Sequence, residues 1–315
     1  MIKLQYIRKG IIMNNNELSR VVLGCFRIES KTNKEVQKLF STALDNGINF
    51  FDHADKYGGD HVCETRFGES LDISDDLREK IYIQTKCGIR TGEKCDFYDF
   101  SKEHILKQVD DSLKALNTDY IDCLLLHRPD TLMEGVEVAE AFDKLYNSGK
   151  VRNFGVSNFT PYQIDYIQKH VNQKICANQI QLSIVHSPII DNGICMNTVF
   201  DGAIDRDGGT LEYSRINDIT IQAWSPMQYG WFEGVFLGDS KFEELNKDIN
   251  ILADKYNVDT ITICIAWILR HPAKMQAVIG TTNPIRVEKS AKAADIVLTR
   301  EEWYRLYSSA GHVIP

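Results

Sequence analysis
No apolar run in this chain of 315 residues is long enough to cross a bilayer. The greasiest segment, Ile261 to Leu269, falls well short of the roughly twenty residues a helical span needs. The amino end has basic residues but no apolar h-region and no small-residue cleavage site, so no signal peptide is expected. A basic face is also missing. Lys plus Arg number 36 against 44 Asp plus Glu, a net charge of −8, which leaves nucleic acid and acidic membrane as unexpected partners. The eight cysteines include no C-x-x-C pair, and several sit inside apolar runs. As reduced thiols used as small apolar residues they point to a soluble, cytoplasmic protein. No metal-ligand pattern stands out, although His53 and His61 come shortly before Cys63. No internal repeat, low-complexity tract or linker divides the chain, and 43% hydrophobic content suffices for a sizeable core, so one domain over 1–315 is expected.

The most informative stretch is Asn49 to Gly59, N-F-F-D-H-A-D-K-Y-G-G. Its apolar start runs into Asp52, His53, Asp55, Lys56 and Tyr57 and then two glycines, the pattern of a buried strand ending in a polar loop. An Asp at a strand end and a Tyr five residues on suit proton handling if a cation lies between them. A phenol with an ordinary pKa near 10 needs such a neighbour to exchange a proton usefully at neutral pH. Lys86, ending the run Ile81 to Lys86, is the candidate cation, and His127 ends the following run, Tyr120 to His127. Each residue alone has an ordinary structural reading, the lysine as a solvated charge and the histidine as a satisfied polar group. Three successive strand ends carrying such groups are harder to treat as coincidence.

Eight short buried runs follow one another: Val21 to Cys25, the stretch reaching Asp52, Ile81 to Lys86, Tyr120 to His127, Val151 to Ser157, Ala177 to Gln181, Ile219 to Trp224 and Met275 to Ile279. Nearly all are followed by helical patterns. Lys34 to Asn46, for instance, places Val36, Leu39, Phe40, Ala43 and Leu44 on one stripe and stops at Asn46-Gly47. Thr160-Pro161 reads as an N-cap followed by the first helical residue. The alternation predicts an α/β fold, a closed parallel (β/α)8 TIM barrel with catalytic groups at the carboxyl ends of its strands. An N-terminal β-hairpin over Lys3 to Arg20 and extra C-terminal helices complete the expected architecture. Asp191 to Glu212 is rich in glycine and aspartate and resists assignment, and Thr91 to Ser101 reads as a surface excursion.

Six motifs, in order, resemble the aldo-keto reductase superfamily, and its YdhF-like branch most. They are F-D-H-A-D-K-Y-G-G at 51–59, I-Q-T-K-C-G around Lys86, L-L-L-H-R-P-D at 124–130, G-K-V-R-N-F-G-V-S-N-F at 149–159, N-Q-I-Q at 178–181 and G-T-T-N-P-I-R at 280–286. The resemblance implies an NADPH-dependent reduction of a small carbonyl compound. Tyr57 would protonate the carbonyl oxygen as hydride arrives from the nicotinamide. Lys86, paired with Asp52, would hold the phenol pKa about two to three below its ordinary value, and His127 would bind the carbonyl oxygen. By the same resemblance Ser157, Asn158 and Gln179 would hold the carboxamide, and Trp224 would stack on the ring. Gly24, Phe26 and Asp52 would lie along the cofactor, with Ser225, Pro226, Met227 and Gly230 passing near the pyrophosphate. Gly280, Thr281, Thr282 and Arg286 would face the adenosine phosphates, where a helix start suits an anion. Many relatives carry a lysine in place of Gly280, which leaves Arg286 and the threonine hydroxyls to favour NADPH over NADH. No G-x-G-x-x-G is present, in keeping with a barrel rather than a Rossmann domain. Two other readings stay open: a cofactor-binding regulatory protein with little turnover, and a lyase using Lys86 as a Schiff-base nucleophile. Trp231 and Phe232 suggest a pocket tolerant of apolar or aromatic carbonyls.

Overall fold
A computed structural model describes residues 11–13 and 16–315. Eight parallel strands close into a barrel. In chain order they are β1 Val21–Gly24, β2 Phe50–Asp52, β3 Tyr82–Cys87, β4 Ile121–Leu126, β5 Val151–Ser157, β6 Ile175–Gln181, β7 Thr220–Trp224 and β8 Gln276–Ile279. Each strand pairs with its sequence neighbours, and β8 returns to β1 through Ile279↔Leu23. Near-continuous apolar burial along these short strands is what a sheet covered by helices demands.

The helices are α1 Asn33–Asp45, α2 Val62–Ser70, α3 Asp75–Arg78, α4 Lys102–Leu116, α5 Gly135–Asn147, α6 Pro161–Gln168, α7 Pro188–Ile194, α8 Thr210–Ile216, α9 Glu243–Tyr256, α10 Thr260–Leu269, α11 Pro284–Ala291 and α12 Arg300–Ser309. Their starts are chemically marked. Capping boxes open α1 (Thr32 with Glu35) and α12 (Thr299 with Glu302), and Pro161 opens α6 behind Thr160. The unassigned stretch from Asp191 contributes to α7 and α8, joined through a short 3-10 turn at Asp201–Ala203. The surface excursion is a small exposed hairpin, Ile89–Thr91 against Asp96–Tyr98. The expected N-terminal hairpin is represented by Ile11–Met13 paired with Asn16–Leu18; its remainder, 3–10 and 14–15, lies outside the described residues. Carboxy-terminal α12 is fastened to α10 by Trp267 and Trp303, whose rings stack 4.7 Å apart and whose indole N–H groups each donate to the other residue's carbonyl. Among the described residues no helix is long and apolar enough to cross a membrane.

The barrel interior divides by chemistry. An apolar layer includes Leu18, Val22, Phe50, Tyr82 and Leu125. Beside it runs a ladder of buried amides. Gln276 Nε2 donates to the Ser19 carbonyl, Gln222 Nε2 to Gln276 Oε1, and Gln84 Nε2 to both Gln222 Oε1 and Asp52 Oδ1, the last at 2.6 Å. Every link is satisfied, which is the condition for tolerating buried amides.

Candidate active site
Barrel register brings the chemically active residues to one rim. Gly24 lies opposite Asp52, Asp52 opposite Gln84, Lys86 opposite Leu125, and Ser157 opposite Gln179. Backbone bonds continue past the strand ends: His53 N–H donates to the Gln84 carbonyl, Asp55 N–H to that of Lys86, and His127 N–H to that of Cys87. The loop after β2 then turns back through Gly58, whose φ of 72° suits glycine. A Cβ there would come within 2.9 Å of Glu29 Cβ and 3.0 Å of Cys63 Sγ, so space as well as φ demands glycine. This turn sets Tyr57 at the rim.

Lys86 is fully buried, and its ammonium has a partner for each hydrogen. Nζ donates to Asp52 at 2.8 and 2.7 Å, to the His53 carbonyl at 2.8 Å and to the Tyr57 hydroxyl at 2.9 Å. Burial works to lower the lysine pKa, but Asp52 and Tyr57 outweigh it, so the ammonium is held above its ordinary value and stays charged. Tyr57 behaves differently from the sequence expectation. Its hydroxyl is pushed up to about 12, because burial outweighs the nearby Lys86 charge. Sequence spacing reveals the cation but not the loss of water around the phenol. His127 is driven well below its ordinary range by burial and then by Lys86 and Arg128, and is therefore neutral. Its Nδ1 is buried without a partner, which leaves Nε2 as the nitrogen available to a ligand.

A cavity of about 510 Å³ opens over this rim. Asp52, Tyr57 and His127 line it, as do Gly24, Phe26, Ser157, Asn158, Gln179, Trp224, Ser225, Pro226, Met227, Gly280, Thr281, Thr282 and Arg286. Lys86 stands behind the wall, touching the lining through Tyr57 and Asp52. Gly230 is not among the lining residues, and its carbonyl accepts a bond from Gln181 Nε2 at 2.8 Å. The polar groups on the β5–β7 side are chained together. Gln179 Nε2 donates to Asp52 Oδ1, Ser157 Oγ to the Gln179 carbonyl, Asn158 Nδ2 to Ser157 Oγ, and Trp224 Nε1 to Asn158 Oδ1 at 3.0 Å. Asn158 and Ser225 both adopt left-handed backbone conformations, φ 61° and 51°, a strain that clusters at binding sites.

Two features escaped sequence reasoning. Gln84 donates to the carboxylate that holds Lys86, and a lone glutamine within the buried run I-Y-I-Q-T-K was the available signal. Arg128 lines the cavity directly after His127, inside a motif already recognised. Arg27 crosses the cavity mouth, its Nη1 donating to the Gly280 carbonyl at 3.3 Å. A Cβ at Gly280 would meet nothing nearer than that Nη1, at 3.9 Å, so this end of the cavity is open and flanked by two guanidiniums, Arg27 and Arg286.

Comparison with known proteins is consistent over most of the chain. The model of the Aldo/keto reductase family matches residues 20–310. Oxidoreductase YdhF of Escherichia coli is 35% identical over 307 residues, covering 95% of this chain and 96% of that protein. A 6-dehydroglucose reductase of Agrobacterium fabrum is 34% identical over 305 residues, with 93% and 95% covered. An aldo-keto reductase from Klebsiella pneumoniae, crystallised with NADPH, superposes with a TM-score of 0.73 at 22% identity, covering 95% of this chain and 93% of that one.

Proposed function
The chain belongs to the aldo/keto reductase family and is an NAD(P)H-dependent oxidoreductase; from that premise we propose that it reduces aldehydes or ketones to alcohols, prefers NADPH, and uses Tyr57 as proton donor. The observation that carries this reading is the relay Asp52–Lys86–Tyr57, which ends at the cavity wall. The Tyr57 oxygen accepts from Lys86, so its own hydrogen is free to point into the cavity. A phenol held at about 12 keeps its proton until the substrate's carbonyl oxygen gains negative charge. The tyrosinate then left behind sits 2.9 Å from a charged ammonium that is anchored by Asp52. His127, neutral and 5.8 Å ring to ring from Tyr57, offers the same oxygen a second donor from Nε2.

The cavity's residues fit a nicotinamide dinucleotide. Ser157, Asn158 and Gln179 would hold its carboxamide, Trp224 would face the ring in an orientation set by Asn158, and Gly24 and Phe26 would flank it. Ser225, Pro226 and Met227 would follow the pyrophosphate. Gly280, Thr281, Thr282 and Arg286 would take the adenosine end, where Arg27 and Arg286 favour the additional phosphate of NADPH. When bound, the nicotinamide supplies the hydride.

Lys86 as a Schiff-base nucleophile is disfavoured because it is charged, fully hydrogen-bonded and behind the wall. The test is a fluorescence titration with NADPH and NADH, followed by nicotinamide absorbance in the presence of aldehydes that include a sugar-derived one, given the relative named for 6-dehydroglucose. Tighter NADPH binding with turnover supports the proposal. Cofactor binding with no turnover of any carbonyl transfers support to the regulatory reading, and failure to bind either nucleotide removes the reductase.

A further inference from the structure
Arg128 has no role in the relay, and its surroundings are unusual for an arginine. It sits directly after His127 at the end of β4 and lines the cavity. Its guanidinium lies over two indoles, 4.7 Å from the Trp231 ring centre and 5.8 Å from that of Trp224. Among the described residues it makes no hydrogen bond and no ion pair. Burial lowers its pKa, and the only groups opposing that are Tyr98 and Tyr57, with no carboxylate among them. Of the described residues lining the cavity, Asp52 alone is acidic, and it is already paired with Lys86. A guanidinium in such a place retains most of its five donors for something that enters from solvent.

The cofactor's phosphates are not that something. The residues proposed for them are Ser225, Pro226 and Met227 and, at the far end, Gly280 and Arg286, whereas Arg128 departs from the end of β4 next to His127, extends toward Trp224 and Trp231, and is reached electrostatically by Tyr57 and Tyr98. Arg128 therefore belongs with Tyr57 and His127, on the side where the carbonyl compound would lie. We propose that Arg128 is a specificity-determining residue that binds an anionic group, such as a carboxylate, on the carbonyl substrate, so that the preferred substrates are carbonyl compounds that also carry an acid. This rests on the reductase reading and narrows its substrate class. Trp231, 58% exposed, and Phe232, 57% exposed, supply an apolar wall for the body of such a molecule while the guanidinium engages its charged end. The arrangement narrows the expectation of general tolerance for aromatic carbonyls: the wall accepts a ring, and the arginine selects rings or chains bearing an anion. The competing structural role is that Arg128 merely clasps Trp231 through its π face.

The test compares 4-formylbenzoate with its neutral methyl ester, using NADPH and the wild type, Arg128→Gln and Arg128→Lys. In parallel, the alcohol product 4-(hydroxymethyl)benzoate is titrated by calorimetry into the protein with and without NADP. The wild type should show a KM for the acid at least tenfold below that for the ester. Arg128→Gln should raise the KM of the acid by roughly ten- to a hundredfold, the size of a lost charge-assisted pair, and so reduce the acid's kcat/KM at least tenfold more than the ester's. Arg128→Lys should recover part of the loss. Equal KM values in the wild type, or equal damage to acid and ester in Arg128→Gln, would overturn the proposal in favour of the clasp. If neither aldehyde is reduced but the product acid binds the wild type and not Arg128→Gln, the anion site stands and the reductase reading falls. Product binding that is indifferent to Arg128→Gln overturns the site.

Discussion

Replacing Asp52 by Asn changes one oxygen to an amide and tests how the relay is held. Asp52 is 1% exposed and Lys86 0% exposed, so neither can exchange its partner for water. Oδ1 accepts from Gln84, Gln179 and Lys86, and Oδ2 accepts from Lys86 at 2.7 Å. Asparagine has a single acceptor. Turned one way, its NH2 group faces the ammonium; turned the other, it faces three donors at once. Either arrangement leaves a buried charge without its counterion, a defect that costs about 3–5 kcal/mol when one partner of a buried pair is removed. Burial is also the leading influence lowering the Lys86 pKa, and without Asp52 it acts with less opposition. The lysine of the variant can then shed its proton, so the stability deficit should shrink as pH rises. Urea unfolding of wild type and Asp52→Asn at pH 7 and pH 9.5 reads both effects. The reasoning fails if the deficit at pH 7 is below about 1 kcal/mol, or if it grows at the higher pH. A double variant, Asp52→Leu with Lys86→Met, should be less destabilised than Asp52→Asn alone, because it leaves no unpaired charge.

Two further outcomes follow from residues near the relay. Burial, aided by Glu64 and opposed by His61, raises the Asp55 carboxyl to about 7. An unfolded chain releases that proton near pH 4, so between about pH 4 and 7 the folded protein holds the extra proton and loses stability as pH rises. Stability of Asp55→Asn relative to wild type should therefore increase from pH 5 to pH 8 in urea titrations; a pH-independent difference would count against the raised carboxyl. Gly58→Ala places a methyl against Glu29 and Cys63 at a left-handed φ, and should lower stability by about 1–3 kcal/mol and cut turnover by displacing Tyr57. An alanine variant as stable and active as wild type would show that the loop relaxes without moving the tyrosine.

The barrel was legible because its strands are short apolar runs separated by helical stripes with marked ends, as at Thr32, Thr160 and Thr299. The positions of Asp52, Lys86 and His127 were legible for a related reason: strand ends converge on one rim in a parallel barrel. Long-range chemistry was not. The amide ladder joins Gln84, Gln222 and Gln276 across as many as 138 residues of chain, and nothing local in those strands reveals it. The direction of the Tyr57 shift depends on burial by elements far apart in sequence, including Phe26, whose ring meets the phenol edge-on at 5.0 Å. Short helix α3 escaped as well, since four residues behind Ser74 are too few to show periodicity. Arg128 stayed silent for a different reason. Its importance lies in the partners it lacks, a property of the folded cavity alone.

If Tyr57 gives the proton while the cavity independently holds the cofactor, the two functions can be separated by one substitution. Rapid mixing of NADPH-loaded wild type and Tyr57→Phe with an aldehyde the wild type reduces, alongside NADPH titrations of both, measures the two functions separately. NADPH affinity should agree within about threefold between the two proteins, and the single-turnover rate should fall about 10²-fold or more, at the scale of general acid catalysis. A Tyr57→Phe variant that oxidises NADPH at close to the wild-type rate would contradict Tyr57 as the proton donor.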